Sequence, residues 1–157
     1  LGLLQYAQDY DERLPRNNYS DSATDHNFVG NLYSILNPYL KNSQIWICPS
    51  RTNNPGYWQN GWTMNASLGS IDNVVGTVLI CDAAYWLDTF WKPHSYPTVP
   101  IASGDANNRL QTIQMHNDGL NFAFCDGHVK WQRLSGIMWS QFTMATSGAD
   151  TTTAVGP

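Results

Sequence analysis

Charge is scarce in this chain: of 157 residues only eight are Lys or Arg and twelve are Asp or Glu, a net charge of −4. The basic residues never cluster. Counterion release from a phosphate backbone would therefore contribute little to binding, which sets nucleic acid aside as a partner. Long apolar runs are also missing, since the longest are a few residues against the ~20 that a bilayer-crossing helix needs. Cysteine is sparse. Cys48, Cys81 and Cys125 are too few for a disulfide scaffold and too widely spaced for a zinc knuckle, and an odd count leaves at least one unpaired within the chain. There is no internal repeat, no Gly-rich phosphate loop, no nucleophile elbow and no His pair at helical metal spacing.

What the chain does have is aromatic side chains, 13% of residues with seven tryptophans. With so few charges, surface polarity falls to Asn, Gln, Ser and Thr, a composition that suits an extracellular protein better than a cytoplasmic enzyme. The length suits one domain, which would bury about 70% of the surface its unfolded form exposes. Leu3, Leu4, Ala7 and Tyr10 recur at helical spacing, so residues 1 to about 13 read as the end of an amphipathic helix closed by Pro15. Residues 15–26 read as a polar loop. A second helix is expected from near Asn27, with Phe28, Leu32, Ile35, Leu36, Tyr39 and Leu40 on one face and Pro38 kinking or dividing it. Gln44 to Cys48 reads as extended, and residues 50–72 as an ordered excursion of loops and short strands. Thr77 to Asp82 is apolar on both faces, as in a central strand covered by a helix. Residues 83–108 read as a long surface loop, and residues 146–157 as a polar tail.

The most informative stretch runs from His116 to Trp131. Asp126-Gly127 is a dipeptide favoured in type I′ hairpin turns, where both central residues need positive φ, and apolar residues alternate on either side. Leu120, Phe122 and Phe124 share one face. A two-residue turn would set Phe124 opposite Val129 and Phe122 opposite Trp131, keeping that face apolar across both strands.

The spacing His116-X9-Asp126-Gly127, followed by His-Val-Lys-Trp, resembles the signature of a large bacterial family of pilin-like proteins, the prepilin-type "H-X9-DG" proteins related to type II secretion pseudopilins. Other segments are similar to that family in the family's order: Leu1 to Pro15, Leu36 to Asn42, Ile47-Cys-Pro-Ser50, Thr63-Met-Asn65 and Val78 to Asp82. The resemblance spans roughly residues 1–134. It implies an α+β headgroup in which an N-terminal helix packs on an antiparallel sheet, divided here as residues 1–14 (end of the helix), 15–145 (headgroup) and 146–157 (tail). It further implies export by a bacterial pilin-type pathway, an extracellular or cell-surface location, and self-assembly into a pilus-like or pseudopilus-like homopolymer without catalysis. Relatives open with a basic leader, a processing site and roughly 20 apolar residues that anchor the subunit in the membrane before assembly. This chain opens at Leu1 inside an amphipathic pattern, which under the resemblance reads as a processed, truncated or incomplete chain. Relatives often carry a further cysteine just upstream, a partner for Cys48.

Three groups of residues are candidates for chemistry. Asp82, His116 and Asp126 all fall at strand ends. They would either converge on a divalent cation, calcium first from the oxygen ligands and zinc second from the histidine, or His116 and Asp126 would bond each other and pin the hairpin without an ion. Cys81 and Cys125 each precede an aspartate at a strand end and would pair if their strands are neighbours; otherwise both are small buried hydrophobes. A thiol–imidazole pair of either with His116 lacks an oxyanion hole and an orienting third group, so no enzyme is expected. Trp58, Trp62, Trp86 and Trp91 fall in the two long loops. There they plug the loops onto the sheet, pack against another subunit, or stack on sugars, the last making the alternative function a surface module that binds glycans or a secreted substrate. Asn18-Tyr-Ser20 and Asn65-Ala-Ser67 match the glycosylation acceptor pattern.

Overall fold

A computed structural model describes residues 1–16, 28–50, 57–82, 116–117, 119–133, 136, 138–142 and 144. The expected loop at 83–108 and the tail at 146–157 lie outside the described residues, as do residues 111–115, Trp86 and Trp91 and the side chain of Trp58. The described elements are helices α1 (Gly2–Asp9) and α2 (Phe28–Leu40) and strands β1 (Tyr57–Gln59), β2 (Val78–Asp82), β3 (Gly119–Phe124) and β4 (Val129–Arg133). The strands form one antiparallel sheet in the order β1-β2-β3-β4. The class is α+β.

Helix α1 stops at Asp9, four residues short of the expected end. Asp11 and Glu12 take positive φ of 51° and 57°, a left-handed step that turns the chain back on itself. The Glu12 N–H closes onto the Ala7 carbonyl at 2.8 Å, and Leu14, 1% exposed, is drawn into the core while its N–H bonds the carbonyl of Ala66. Helix α2 carries Pro38 in its last turn and ends two residues later. Its expected face is the buried one: Leu32 and Leu36 are in the core, with Ile35, Tyr39 and Leu40 packed at its margin. A hydrogen bond from the Tyr39 hydroxyl to Asp9 at 2.9 Å ties the two helices together.

Of the stretch expected to be extended, Gln44 to Cys48, the first three residues belong instead to a 3-10 turn over Ser43–Trp46, while Ile47 is extended. Asn42 is the cause: its side chain accepts a hydrogen bond from the Gln44 N–H at 2.9 Å, the local capping that lets Asn compete with strand formation.

Strand β2 is interior to the sheet and buried except at half-buried Ile80, in keeping with its two-sided apolar pattern. It pairs Val78 with Phe124 and Ile80 with Ala123, so Leu79 is an extra residue at a bulge. The bulge puts two consecutive side chains toward the helices: Leu79 joins Leu3, Ala7, Leu14, Leu32, Leu36, Trp46, Ile71 and Cys125 in one cluster, with Ile80 against it. On the opposite face Phe122, fully buried, meets Phe142 edge-on, with centroids 6.4 Å apart. Asn60 fastens that side, donating to the carbonyls of Val78 at 2.7 Å and Phe142 at 3.0 Å.

The β3–β4 hairpin forms where expected, with a different turn. Phe124 pairs with His128, its N–H bonding the His128 carbonyl at 2.9 Å, and the Gly127 N–H bonds the Phe124 carbonyl at 2.9 Å. Three residues, Cys125, Asp126 and Gly127, therefore make the loop, and of these only Gly127 has positive φ, at 95°. This is the three-residue hairpin with one left-handed glycine, not type I′. The added residue shifts the register by one: Ala123 faces Val129, Phe122 faces Lys130 and Asn121 faces Trp131. Because strand side chains alternate, the shift moves Val129 and Trp131 off the face of Phe122 and into solvent, 66% and 43% exposed.

Candidate functional site

The long β3 strand separates the residues expected to converge. At its open end, where β3 begins, Asp82 is 8% exposed at the side chain and accepts two hydrogen bonds from Asn121, from the backbone N–H at 2.9 Å and from Nδ2 at 2.7 Å. His116 stands beside it, Nε2 to Oδ2 at 3.6 Å, too long for a direct hydrogen bond. The Cys48 thiol approaches the same Nε2 at 3.6 Å. The His116 carbonyl accepts the indole N–H of Trp131 at 2.8 Å. Tyr57 completes the group, directly opposite Asp82 in the β1–β2 register and edge-on to Trp46 at 6.3 Å. Burial raises the Tyr57 phenol above its ordinary value, and the charges of Asp82 and Cys48 add to that.

At the turn end, Asp126 is engaged locally. It accepts from the His128 N–H at 3.1 Å and meets His128 Nδ1 at 2.7 Å, while the His128 ring stacks on Phe124 at 4.3 Å. Desolvation pushes the Asp126 carboxyl up, and the hydrogen bonds and charge of His128 outweigh it, leaving the group below its ordinary value. Asp126 lies five positions along the strand from Asn121, about 15 Å at strand rise. It cannot share an ion with Asp82 and His116. The expected calcium or zinc trio is thus corrected to a pair at one end and a lone carboxylate at the other, and the His116–Asp126 bond does not form either. Among the described residues no group of three or more His, Cys, Asp or Glu is arranged to hold a metal ion.

The cysteine pairing is corrected too: all three cysteines are free and buried. Cys81 faces Phe122 across the β2–β3 ladder, whereas Cys125 sits in the turn with its N–H on the Thr77 carbonyl at 3.0 Å. Burial pushes both thiols up, Cys125 to about 12 and Cys81 well above the usual value, with the carboxylates of Asp126 and Asp82 adding to the effect. Both effects favour the neutral thiol over the thiolate.

The thiol that does meet the imidazole is Cys48, and nothing in a separation of 68 residues announces that contact. The arrangement is not a Cys-His-Asp relay. In such a relay the carboxylate orients the ring from the nitrogen opposite the thiol, whereas here thiol and carboxylate address the same Nε2. The three side chains lie together without a hydrogen bond from His116 to Asp82, and the group is a clasp where the segment at His116, the end of β2 and the Cys48 segment meet.

Of the loop tryptophans, Trp62 is buried, 7% exposed, which takes it out of any stacking role at the surface. Trp131, expected in the core, is the exposed one among the described tryptophan side chains. Comparison with protein-family models, with curated proteins and with solved structures finds no match for this chain.

Proposed function

We propose that this protein is a pilin-like structural subunit that assembles with copies of itself into an extracellular or cell-surface filament, exported by a bacterial pilin-type route, and that it performs no catalysis. The observation that carries the reading is the His116-X9-Asp126-Gly127 hairpin, found in order with the other similar segments and laid against a helix. A Cβ on Gly127 would stand 2.7 Å from Leu4 Cδ1 of α1, so helix and hairpin turn are in close contact, as the expected headgroup arrangement requires. The clasp at His116 and the turn at Asp126-Gly127 give the motif a structural task at each end of β3.

In the resembling family, an apolar helix precedes the headgroup, anchors it in the membrane and then packs in the filament core. Each apolar side chain so buried contributes roughly 1.5–3 kcal/mol. Head-to-tail contacts of this heterologous kind generate open helical arrays. No helix among the described residues is long and apolar enough to cross a membrane. Electron microscopy of native material with an antibody against residues 1–157 tests the reading. Decorated helical fibres support it, and fibres without label, or label without fibres, overturn it.

A further inference from the structure

The described asparagines divide by what their side chains do. Asn42 and Asn73 accept backbone N–H groups just ahead of them, from Gln44 and from Gly76, both at 2.9 Å. Asn60 holds two carbonyls and the Trp62 N–H, and Asn121 donates to Asp82. Each of those amides is committed to the fold. Asn65 differs. It takes a positive φ of 57°, a conformation in which an asparagine side chain ordinarily bonds the local backbone. Its carbonyl accepts from Arg13 Nη1 at 3.1 Å, while its side-chain amide, at an exposed position, makes no hydrogen bond to a described residue.

The residue two places on shows the same feature. Ser67 is the N-cap of the 3-10 turn Leu68–Ser70, where a hydroxyl ordinarily accepts from the turn's backbone, and its side chain makes no such bond. The backbone around it is fastened: the Ala66 carbonyl accepts the Leu14 N–H at 2.9 Å, the Leu68 N–H bonds the Glu12 carbonyl at 2.9 Å, and Ser67 bridges to Arg13. A pinned backbone thus carries an amide and a hydroxyl that the fold does not use. With Ala66 between them they form the acceptor pattern for an N-linked glycan. Asn37 and Asn117 are exposed too, but Tyr39 and Gly119 stand two places after them where the pattern needs Ser or Thr.

We propose that Asn65 is the attachment site of an N-linked glycan, with the Ser67 hydroxyl as the group that the transferring enzyme recognises. The sugar comes from a glycosyl pyrophosphate carried on a lipid or a nucleotide. The Asn65 amide nitrogen forms a bond to the anomeric carbon. The bond from that carbon to the phosphate oxygen breaks, its electron pair leaving with the pyrophosphate, and one amide proton passes to a base of the transferase. The folded chain accommodates the product, because a substituted Asn65 amide displaces no hydrogen bond among the described residues. A bulky, solubilising glycan also suits a chain in which charged residues are only 13%. The site is independent of the filament reading, since occupancy is a property of the single chain.

The test is site-resolved mass spectrometry of the chain purified from its native host. The peptide containing Asn65 should carry a glycan mass, and an amidase that removes N-linked glycans should leave aspartate at that position. A preassembled oligosaccharide identifies the lipid-borne donor, and a single hexose the nucleotide-borne one. Expressed in the same host, Asn65→Gln and Ser67→Ala should each lose the modification completely, and Ser67→Thr, which restores a hydroxyl, should keep it. Circular dichroism and melting show that each variant folds, and Ser67→Thr keeps the test decisive if Ser67→Ala does not. An unmodified Asn65 peptide from native material, or a glycan that persists on Asn65 in folded Ser67→Ala, overturns the proposal.

Discussion

At the turn end of the β3–β4 hairpin, the side-chain contacts that shape the backbone lie within five residues: Asp126 caps His128, His128 stacks on Phe124 and Gly127 supplies the positive φ. At the open end the contacts join residues far apart in sequence. Asp82 meets Asn121 across 39 positions, Cys48 meets His116 across 68, and Trp131 reaches His116 across 15. The first end is a local device that a short peptide motif can specify. The second exists only when four segments have already come together, so its geometry reports on the whole fold. Strand β3 thus joins a turn dictated by its own residues to a clasp dictated by its neighbours.

The comparison is sharpest when the shared middle is removed. Phe122→Ala, at a fully buried side chain packed on Phe142, is expected to cost about 3–5 kcal/mol and to loosen both ends together; urea denaturation checks the size, and amide exchange at both ends checks the coupling. Next comes the turn. Gly127→Val should cost about 2–3 kcal/mol, because a β-branched residue is strained at positive φ and its Cβ would crowd Leu4. A melting temperature equal to wild type would refute the three-residue loop. At the clasp, Asp82→Ala should cost roughly 1–2 kcal/mol by stranding the Asn121 N–H, and Asp82→Asn, which keeps an acceptor, less than that. Because the two ends stand about 15 Å apart, Gly127→Val and Asp82→Ala should add within about 0.5 kcal/mol; a larger coupling in the double mutant would show that the ends are one unit.

The smallest expected effect is acidic. The folded-state Asp126 carboxyl lies below its ordinary value of 3.8, so the stability it contributes is fully present above that value and is lost as pH falls through the lower folded-state value. Asp126→Asn should flatten that part of the acid limb while leaving stability near neutral pH almost unchanged, as expected of an exposed pair screened by solvent. Urea titrations from pH 5 to pH 2 measure it.

The same division governs what could be read in advance. The hairpin, the central character of β2 and the buried face of α2 were legible, because each follows from side-chain periodicity within one segment. The turn was misread by one residue, since Asp-Gly fits a two-residue loop and a three-residue loop with its glycine last equally well. That one residue displaced Val129 and Trp131 to the opposite face. The metal trio failed for a related reason: strand-end position says nothing about which end, and β3 is long enough to hold His116 and Asp126 apart. Helix α1 ended early because the tertiary pairing of Leu14 and Leu68 with neighbouring backbone holds Asp11 and Glu12 in a left-handed step that propensity disfavours.

Sequence by itself determined the two helices and the strands β2, β3 and β4, that the chain is poor in charge, and that a glycine-bearing turn joins the last two strands. Those properties are local, set by backbone sterics and side-chain alternation over a few residues. Only the tertiary structure decided the register of β4, the company of His116, the separation of the three cysteines and the exposure of Trp131. Each of these depends on contacts between residues 15 to 68 positions apart or on the length of a single loop, and a shift of one residue in that loop reverses every side chain beyond it.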